Sequence, residues 1–403
     1  MFQQPIYSNQ LTFFQKVRSF DIWLILSVLA LGIIGTIAMY SSDGGQFSYH
    51  TKSHIIRFAI FFSLMFILSF VRIKFWHDLG YFFYFIVVLL LIYASFYGIT
   101  ASGSQRWVSL YFINLQPSEL MKIAVIVCFA KFYHRMQLNS VNEFRNLLIP
   151  IIILLIPITL VLSQPDLGTS ILIASSGLVV IWLSGVNIKY FIYTGLALIV
   201  SAPFVISFLK PYQKIRILTF FDPERDPLGA GYQIIQSKIA VGSGGIWGKG
   251  FLKGTQSYLE FLPEKHTDFI FTLFSEEFGF LGSLVLLFIY SIMIYRIIAI
   301  GFIARSFFAK LYCYGFGSAI FIYIVVHEHG IGFITNRRFT IANHVLWRLF
   351  NVSYNVRFKH CYEFKNISSS INLLKRNQFT YCIICHYNIL FYAIISSAYV
   401  RKF

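Results

Sequence analysis

Charged residues are sparse in this chain, so the places where they gather are the candidates for chemistry. Of 403 residues, 57% are hydrophobic and only 12% charged. One gathering is Gly103-Ser104-Gln105-Arg106-Trp107, followed by Gln116-Pro117-Ser118-Glu119-Leu120-Met121-Lys122. On a helix, Glu119 and Lys122 share a face and can pair, and Ser118 stands where it can cap that helix. An ion inside an apolar helix is costly unless it is paired or faces a water-filled cleft, which makes the two residues candidates for function. A buried pair that only fixes helix packing is the competing reading. Gln164-Pro165-Asp166-Leu167-Gly168-Thr169 reads first as a tight turn in which Asp166 caps the following helix. Asp166 also stands to border the same outer cavity.

A second gathering fills residues 210–268. Asp222-Pro223-Glu224-Arg225-Asp226-Pro227 is a rigid turn, and Gly242-Ser243-Gly244-Gly245 with Gly248 and Gly250 lets backbone amides approach a ligand closely. Arg216, Lys238, Lys249 and Lys253 can meet an anion such as pyrophosphate, or can be solvated loop cations. His266-Thr267-Asp268 falls where the loop meets an apolar run that carries Glu276 and Glu277. Half-desolvation there can raise a carboxylate pKa toward a value suited to a general base. Capping of the next helix by Thr267 or Asp268 explains the same residues equally well.

These groups need a scaffold, and the composition supplies one. Charged residues are about 25% of ordinary soluble domains, so this chain reads as an all-α polytopic membrane protein. Apolar stretches near 22–40, 54–71, 80–98, 118–133, 147–163, 169–186, 189–209, 269–297 and 307–326 make nine expected spans. Each can cross a hydrocarbon core of roughly 30 Å as helix. Residues 1–19 lack the pattern of a cleaved signal, so the first span is expected to act as the insertion signal. Short-loop cations fix the orientation. Lys16, Arg18, Arg72, Lys74, Arg135, Arg145, Lys189, Arg296 and Arg305 share one side, which places the N-terminus in the cytoplasm and the 210–268 loop outside. Lys52 and Arg106 are isolated exceptions.

The net charge of +17 does not point to nucleic acid as a partner, because ten Lys/Arg against two Asp/Glu fall in residues 327–403 and the rest flank spans. Cys128 and Cys313 sit within spans and read as apolar packing residues.

Taken together, Gln-Arg-Trp, Gln-Pro-Ser-Glu-Leu-Met-Lys, Gln-Pro-Asp-Leu-Gly-Thr, Asp-Pro-Leu-Gly-Ala-Gly-Tyr-Gln and Leu-Pro-Glu-Lys-His-Thr-Asp with Glu-Glu-Phe-Gly resemble the SEDS family (shape, elongation, division and sporulation). The likeness runs over about residues 20–325. Gln236-Ser237-Lys238-Ile239-Ala240 and Gly254-Thr255-Gln256-Ser257 are closer to its rod-shape branch than to its division branch. The resemblance implies ten spans and a bacterial inner-membrane glycosyltransferase that polymerises lipid II into peptidoglycan strands during elongation. It implies Asp268 as the essential outer carboxylate, acting as general base, with Glu119, Lys122 and Trp107 in support. Arg106, Arg216 and Lys238 are the expected contacts to the leaving pyrophosphate, aided by a divalent cation (Mg or Mn). The implied partners are lipid II, a class B penicillin-binding transpeptidase and other membrane proteins of the rod complex. A lipid II flippase is the alternative, in which Glu119 and Lys122 line a translocation path.

After Val325 the likeness stops, where the family continues into a Pro- and Gly-rich outer loop and a tenth span. Residues 326–352, read back through the genetic code and shifted by one nucleotide, permit a peptide containing Ser-Tyr-Gly-Gly-Ser-Ser, the family's signature there. Trp347 has a single codon, and in the shifted frame it forces Gly. Residues 326–403 are therefore expected to be an out-of-frame tail and not a native domain, which leaves an inactive product as a further reading. The haem-like Cys382-Ile-Ile-Cys385-His386 is then an accident of frame, and no haem is expected.

Overall fold

A computed structural model describes residues 20–101, 104–109, 114–136, 140–164, 166–208, 230–255 and 269–329, with Lys214, Leu218, Thr219, Asp222 and Glu224 between them. The helices, in chain order, are α1 (Ile22–Ser42), α2 (Tyr49–Ser69), α3 (Ile73–Tyr97), α4 (Pro117–His134), α5 (Phe144–Ser163), α6 (Leu167–Leu183), α7 (Ile188–Phe208), α8 (Ala230–Ser243), α9 (Ile270–Ile303) and α10 (Phe307–His329). Nine of them correspond to the nine expected spans. Six are long and apolar enough to cross a membrane by length and composition: α1, α2, α3, α5, α9 and the Phe307–Val325 part of α10. The α6 helix is apolar but has 17 residues. The α4 helix carries Glu119, Lys122 and Lys131 among its apolar residues.

The expected all-α architecture is present, with a small addition: β1 (Ile99–Ala101), β2 (Ser104–Ser109) and β3 (Asn114–Leu115) form an antiparallel sheet ordered β1-β2-β3 between α3 and α4. Residues 210–268 are, however, not all loop, since α8 lies among them. Asp268, Arg216 and the predicted tail from residue 330 onward lie outside the described residues. The last turns of α10 cross residues 325–326, where the frame was expected to change.

The scaffold is organised around α4. Met121, Ala124, Val125, Ile126, Phe129 and Ala130 are all fully buried, and α4 packs against α3, α5, α6 and α10. A helix buried on every side is a central helix, so its charged residues meet protein and not lipid tails. Small residues allow the close packing that helix association in lipid depends on. A Cβ on Gly315 of α10 would stand 2.4 Å from Val180 of α6, and one on Gly32 of α1 would stand 2.1 Å from the Phe58 ring of α2.

Helix α5 contains Pro150 and Pro157, both buried. A proline within a helix cannot donate to the carbonyl four residues back. For Pro157 that carbonyl is Ile153 O, and the Tyr84 hydroxyl of α3 donates to it at 2.7 Å. Neighbouring side chains are what make such prolines tolerable at membrane depth. Asp21 caps α1 by accepting from Leu24 N at 3.1 Å and also accepts from Arg296 Nε of α9 at 2.9 Å. One carboxylate thus ties the first helix to the ninth.

The Tyr84–Pro157 pairing predicts non-additive stability. Tyr84→Phe leaves a buried carbonyl unpaired and should cost about 1–3 kcal/mol, whereas in a Pro157→Ala background, where the helix restores its own bond, the same change should cost little. Thermal denaturation of the four proteins in detergent reads the difference. Equal costs in both backgrounds would show that the hydroxyl does not serve the proline-freed carbonyl.

Candidate functional site

The N-terminal ends of α4 and α6 and strand β2 bring together four charged residues. Helix α4 begins at Pro117 with Gln116 in the cap position and no side-chain capping bond. Ser118 is therefore not the cap. It lies inside the first turn with a buried hydroxyl, and proline opens the helix instead, its missing N–H being one the first turn could not have paired. One turn on, Lys122 Nζ donates to Glu119 Oε2 at 2.8 Å. Lys122 is 2% exposed and the Glu119 side chain 12%. The Tyr323 ring of α10 lies 5.0 Å from Lys122 Nζ, measured to its centroid, and Asp166 adds a second negative charge to the ammonium's surroundings.

Strand β2 supplies the fourth charge. Alternation along a strand sends neighbours to opposite faces: Trp107 is buried, while Arg106 reaches the turn between α5 and α6. Its Nη1 lies 3.2 Å from Asp166 Oδ2, and its Nε donates to Gln164 O at 3.2 Å. Asp166 Oδ1 accepts from Thr169 N at 3.1 Å, so Asp166 caps α6 as expected and orients Arg106 as well. Gln164 is buried, and its Nε2 donates to Leu91 O at 3.1 Å and Ser95 Oγ at 2.7 Å on α3. Helices α3, α4, α6 and α10, the turn from α5 into α6 and strand β2 therefore hold the site. The Gln164 anchor and the Tyr323 contact had no signal in the sequence, since both depend on which helices meet.

A second polar cluster lies in the N-terminal part of α9. Glu276 and Glu277 are adjacent on one helix and point about 100° apart, so each has its own partner. Glu276 is fully buried and its Oε1 accepts from Lys249 Nζ at 2.6 Å, Thr255 N at 2.9 Å and Thr255 Oγ1 at 2.9 Å. Glu277 Oε1 accepts from the Ser41 hydroxyl of α1. These contacts correct the readings of Lys249 and of the glycine run. Lys249 is paired with a buried carboxylate. Lys249 N and Gly250 N donate to Glu276 O and Glu277 O, each at 3.0 Å, and Gly245 O accepts from Phe280 N at 3.0 Å. Gly244 and Gly248 thus bring the chain against the backbone of α9. Gly248 has φ +82°, and a Cβ there would stand 2.0 Å from Glu277 O. Gly279, at φ +66°, kinks α9 to receive it.

The remaining candidates divide simply. Lys238 is half-buried on α8, and Asp268 and Arg216 lie outside the described residues. Helix α9 starts at Ile270 with Phe269 in its cap position and no side-chain capping bond, so the cap position falls one residue beyond Asp268. Cys128 and Cys313 are buried free thiols, as expected of packing residues. Among the described residues no group of three or more His, Cys, Asp or Glu could hold a metal ion.

The sequence matches the FtsW/RodA/SpoVE profile, described as cell cycle protein, over residues 20–334. It is 38% identical over 323 residues to the peptidoglycan glycosyltransferase MrdB of Escherichia coli K12, covering 79% of this chain and 85% of that protein. It is 33% identical over 339 residues to the stage V sporulation protein E of Bacillus subtilis, covering 79% and 88%. Among solved structures, the fold is similar to a chain of a peptidoglycan synthase complex, with a TM-score of 0.67 at 25% identity over 78% of this chain and 88% of that one. It is also similar to the rod shape determining protein RodA of Thermus thermophilus, with a TM-score of 0.56 at 18% identity over 95% and 98%.

The burial of the Glu119–Lys122 pair sets an expectation for its disruption. Removing one partner of a buried ion pair leaves the other uncompensated and costs about 3–5 kcal/mol. Glu119→Gln should therefore lower the denaturation midpoint strongly, and Lys122→Met added to it should recover much of the loss. A double variant no more stable than Glu119→Gln alone would show that Lys122 is not stabilised mainly by Glu119.

Proposed function

From the premise that this chain belongs to the FtsW/RodA/SpoVE family of cell cycle proteins, we propose that it is a peptidoglycan glycosyltransferase that polymerises lipid II into glycan strands during cell elongation. The observation that carries this reading is the linked set Arg106, Asp166, Lys122 and Glu119 at the outer ends of α4 and α6. It sits in a chain 38% identical to a protein named for that activity. Charged residues held within a protein core at the outer membrane boundary suit substrates whose lipid tails lie in the bilayer and whose sugars lie just outside it.

In this reading, the 4-hydroxyl oxygen of an acceptor sugar attacks the anomeric carbon of a donor. A glycosidic bond forms as the bond from that carbon to undecaprenyl pyrophosphate breaks, and the bonding pair leaves with the pyrophosphate. Asp268 takes the hydroxyl proton. Support for its role comes from the family likeness and from its place one residue before the cap of α9, at the outer end of a helix fixed to α1 and to the 244–255 segment. Arg106, oriented by Asp166 and Gln164, is the cation best placed to meet the anionic leaving group, since fixed charges aimed at developing charge lower the barrier. Arg216 and Lys238 are further candidates. A divalent cation would neutralise the same pyrophosphate, though among the described residues no group of three or more His, Cys, Asp or Glu is assembled to hold one.

The natural setting is a bacterial inner membrane, with a class B penicillin-binding transpeptidase crosslinking the strands and other rod-complex proteins alongside. The likeness to a chain of a peptidoglycan synthase complex supports such a partner. Residues 326–403 are assigned to a shifted reading frame, so the gene's ancestor carried a further outer loop and a tenth span.

The test uses purified lipid II in detergent with two proteins, the 403-residue chain and a version with the frame restored near codons 325–326. Glycan strands from the restored protein, abolished by Asp268→Ala, are expected. Strands from both proteins would show that the region through α10 suffices, and strands from neither would overturn the polymerase reading. Lipid II transport into vesicles that survives Asp268→Ala would favour the flippase instead.

A further inference from the structure

We infer that the turn carrying Ile246 and Trp247 is a membrane anchor, whose two apolar side chains sit in the boundary layer of the bilayer between lipid headgroups and acyl chains. The inference does not rest on the polymerase reading above.

The level of the bilayer is marked by the two bonds that tie α1 to α9. Asp21, the cap of α1, accepts from Arg296 Nε, and Ser41, in the last turn of α1, donates to Glu277. Both helices are long and apolar enough to cross a membrane. Glu277 and Arg296 are 19 positions apart, which is about 28 Å of helix and close to the roughly 30 Å of a hydrocarbon core. One boundary of the core therefore lies near Glu277 and the other near Arg296.

The turn reaches past Glu277 to the apolar side of that boundary. The kink at Gly279 leaves the next amides of α9 without partners in the preceding turn, and the turn supplies them: Gly245 O accepts from Phe280 N at 3.0 Å and Ile246 O from Leu281 N at 3.2 Å. Gly245 at φ +61° and Gly248 at φ +82° shape the tip, and Gly248 N closes it onto Gly244 O at 2.8 Å. Between these glycines Ile246 is 53% exposed and Trp247 81%. The exposed surface continues along α9 through Leu281, Leu284, Val285 and Phe288, which follow at helical spacing on one face and are all exposed. That is the face a spanning helix turns to lipid. Aromatic side chains gather at the same end of α1 and α9. Phe251 stacks on Tyr40 with ring centroids 6.2 Å apart, and Tyr40 meets Phe47 at 4.9 Å. Trp and Tyr are the residues that membrane proteins concentrate at the interface, where an apolar ring and a polar N–H or O–H are both satisfied. The nearest cation does not oppose insertion, since Lys249 Nζ is turned to Glu276 Oε1 at 2.6 Å. Lys249 and Thr255 hold Glu276 from the same segment, so the anchor and the start of α9 are one connected piece.

The test places the full 403-residue chain in nanodiscs of phosphatidylcholine brominated either near the carbonyl end or at the middle of its acyl chains. The emission of Trp247 is the difference between the parent and Trp247→Phe, whose denaturation midpoint in detergent should match the parent's. Most of that emission should be lost with bromine near the carbonyl end and less of it with bromine at mid-chain. Ile246→Trp in the Trp247→Phe protein moves the reporter by one residue and should show the same preference. Emission quenched by iodide in the buffer and by neither brominated lipid puts the turn in water. Emission reached by none of these quenchers puts it against protein, whether a second copy of the chain or another partner. Either result overturns the inference, as does stronger quenching from mid-chain or a reporter at position 246 that ignores the lipid.

Discussion

The fold depends on one constraint: a charge placed at membrane depth must be given partners from the protein itself. Helix α4 meets it by being the central helix. Because α3, α5, α6 and α10 enclose it, the lysine on its second turn is buried against Glu119 and the Tyr323 ring and not against lipid. The same rule governs the periphery of the site. Arg106 is held by Asp166 and a backbone carbonyl, and that carbonyl belongs to a glutamine whose amide is bonded to α3. Each partner is secured by another, so the geometry of one ion pair reaches back to the packing of five helices. Replacing the charges with apolar residues of similar shape would cost little stability by this logic, which is why their presence points to function more than to folding.

Much of this could be read in the sequence, for reasons that differ by element. Apolar runs of about twenty residues can satisfy their own backbone only as helix, so the positions of the nine helices were legible. The Glu119–Lys122 pair was legible because spacing along a single helix determines contact. The Asp166 cap was legible for the same reason, but its bond to Arg106 was not, since the two residues are 60 apart in sequence and meet only through the turn of α5 into α6. Ser118 misled because serine before an apolar run is a strong capping signal, whereas Pro117 already supplied a helix start that needed no cap. The β1-β2-β3 sheet was hidden in a segment too short and mixed for strand periodicity to stand out.

The glycine run is the instructive case. Closely spaced glycines let a backbone approach something, and sequence alone cannot say what. Here the approached surface is the protein itself: the amides of Lys249 and Gly250 meet the carbonyls of Glu276 and Glu277, and Gly248 nests against Gly279 at the kink of α9. The Lys249 side chain then follows its backbone into the same junction and neutralises Glu276. A cation that reads in the sequence as available to an anionic substrate is committed to structure.

That junction also bears on Asp268. The residue is covalently joined to Phe269, the cap of α9, and successive Cα atoms across a trans peptide are about 3.8 Å apart. Whatever fixes the first turns of α9 therefore fixes where the chain leaves Asp268. Two contacts do so from different directions, Glu277 to Ser41 on α1 and Glu276 to the 249–255 segment. Adjacent glutamates pointing about 100° apart on one helix resist both sliding and rotation of that helix end in a way a single pair would not. The start of α9 is thus held from two sides by its own glutamates.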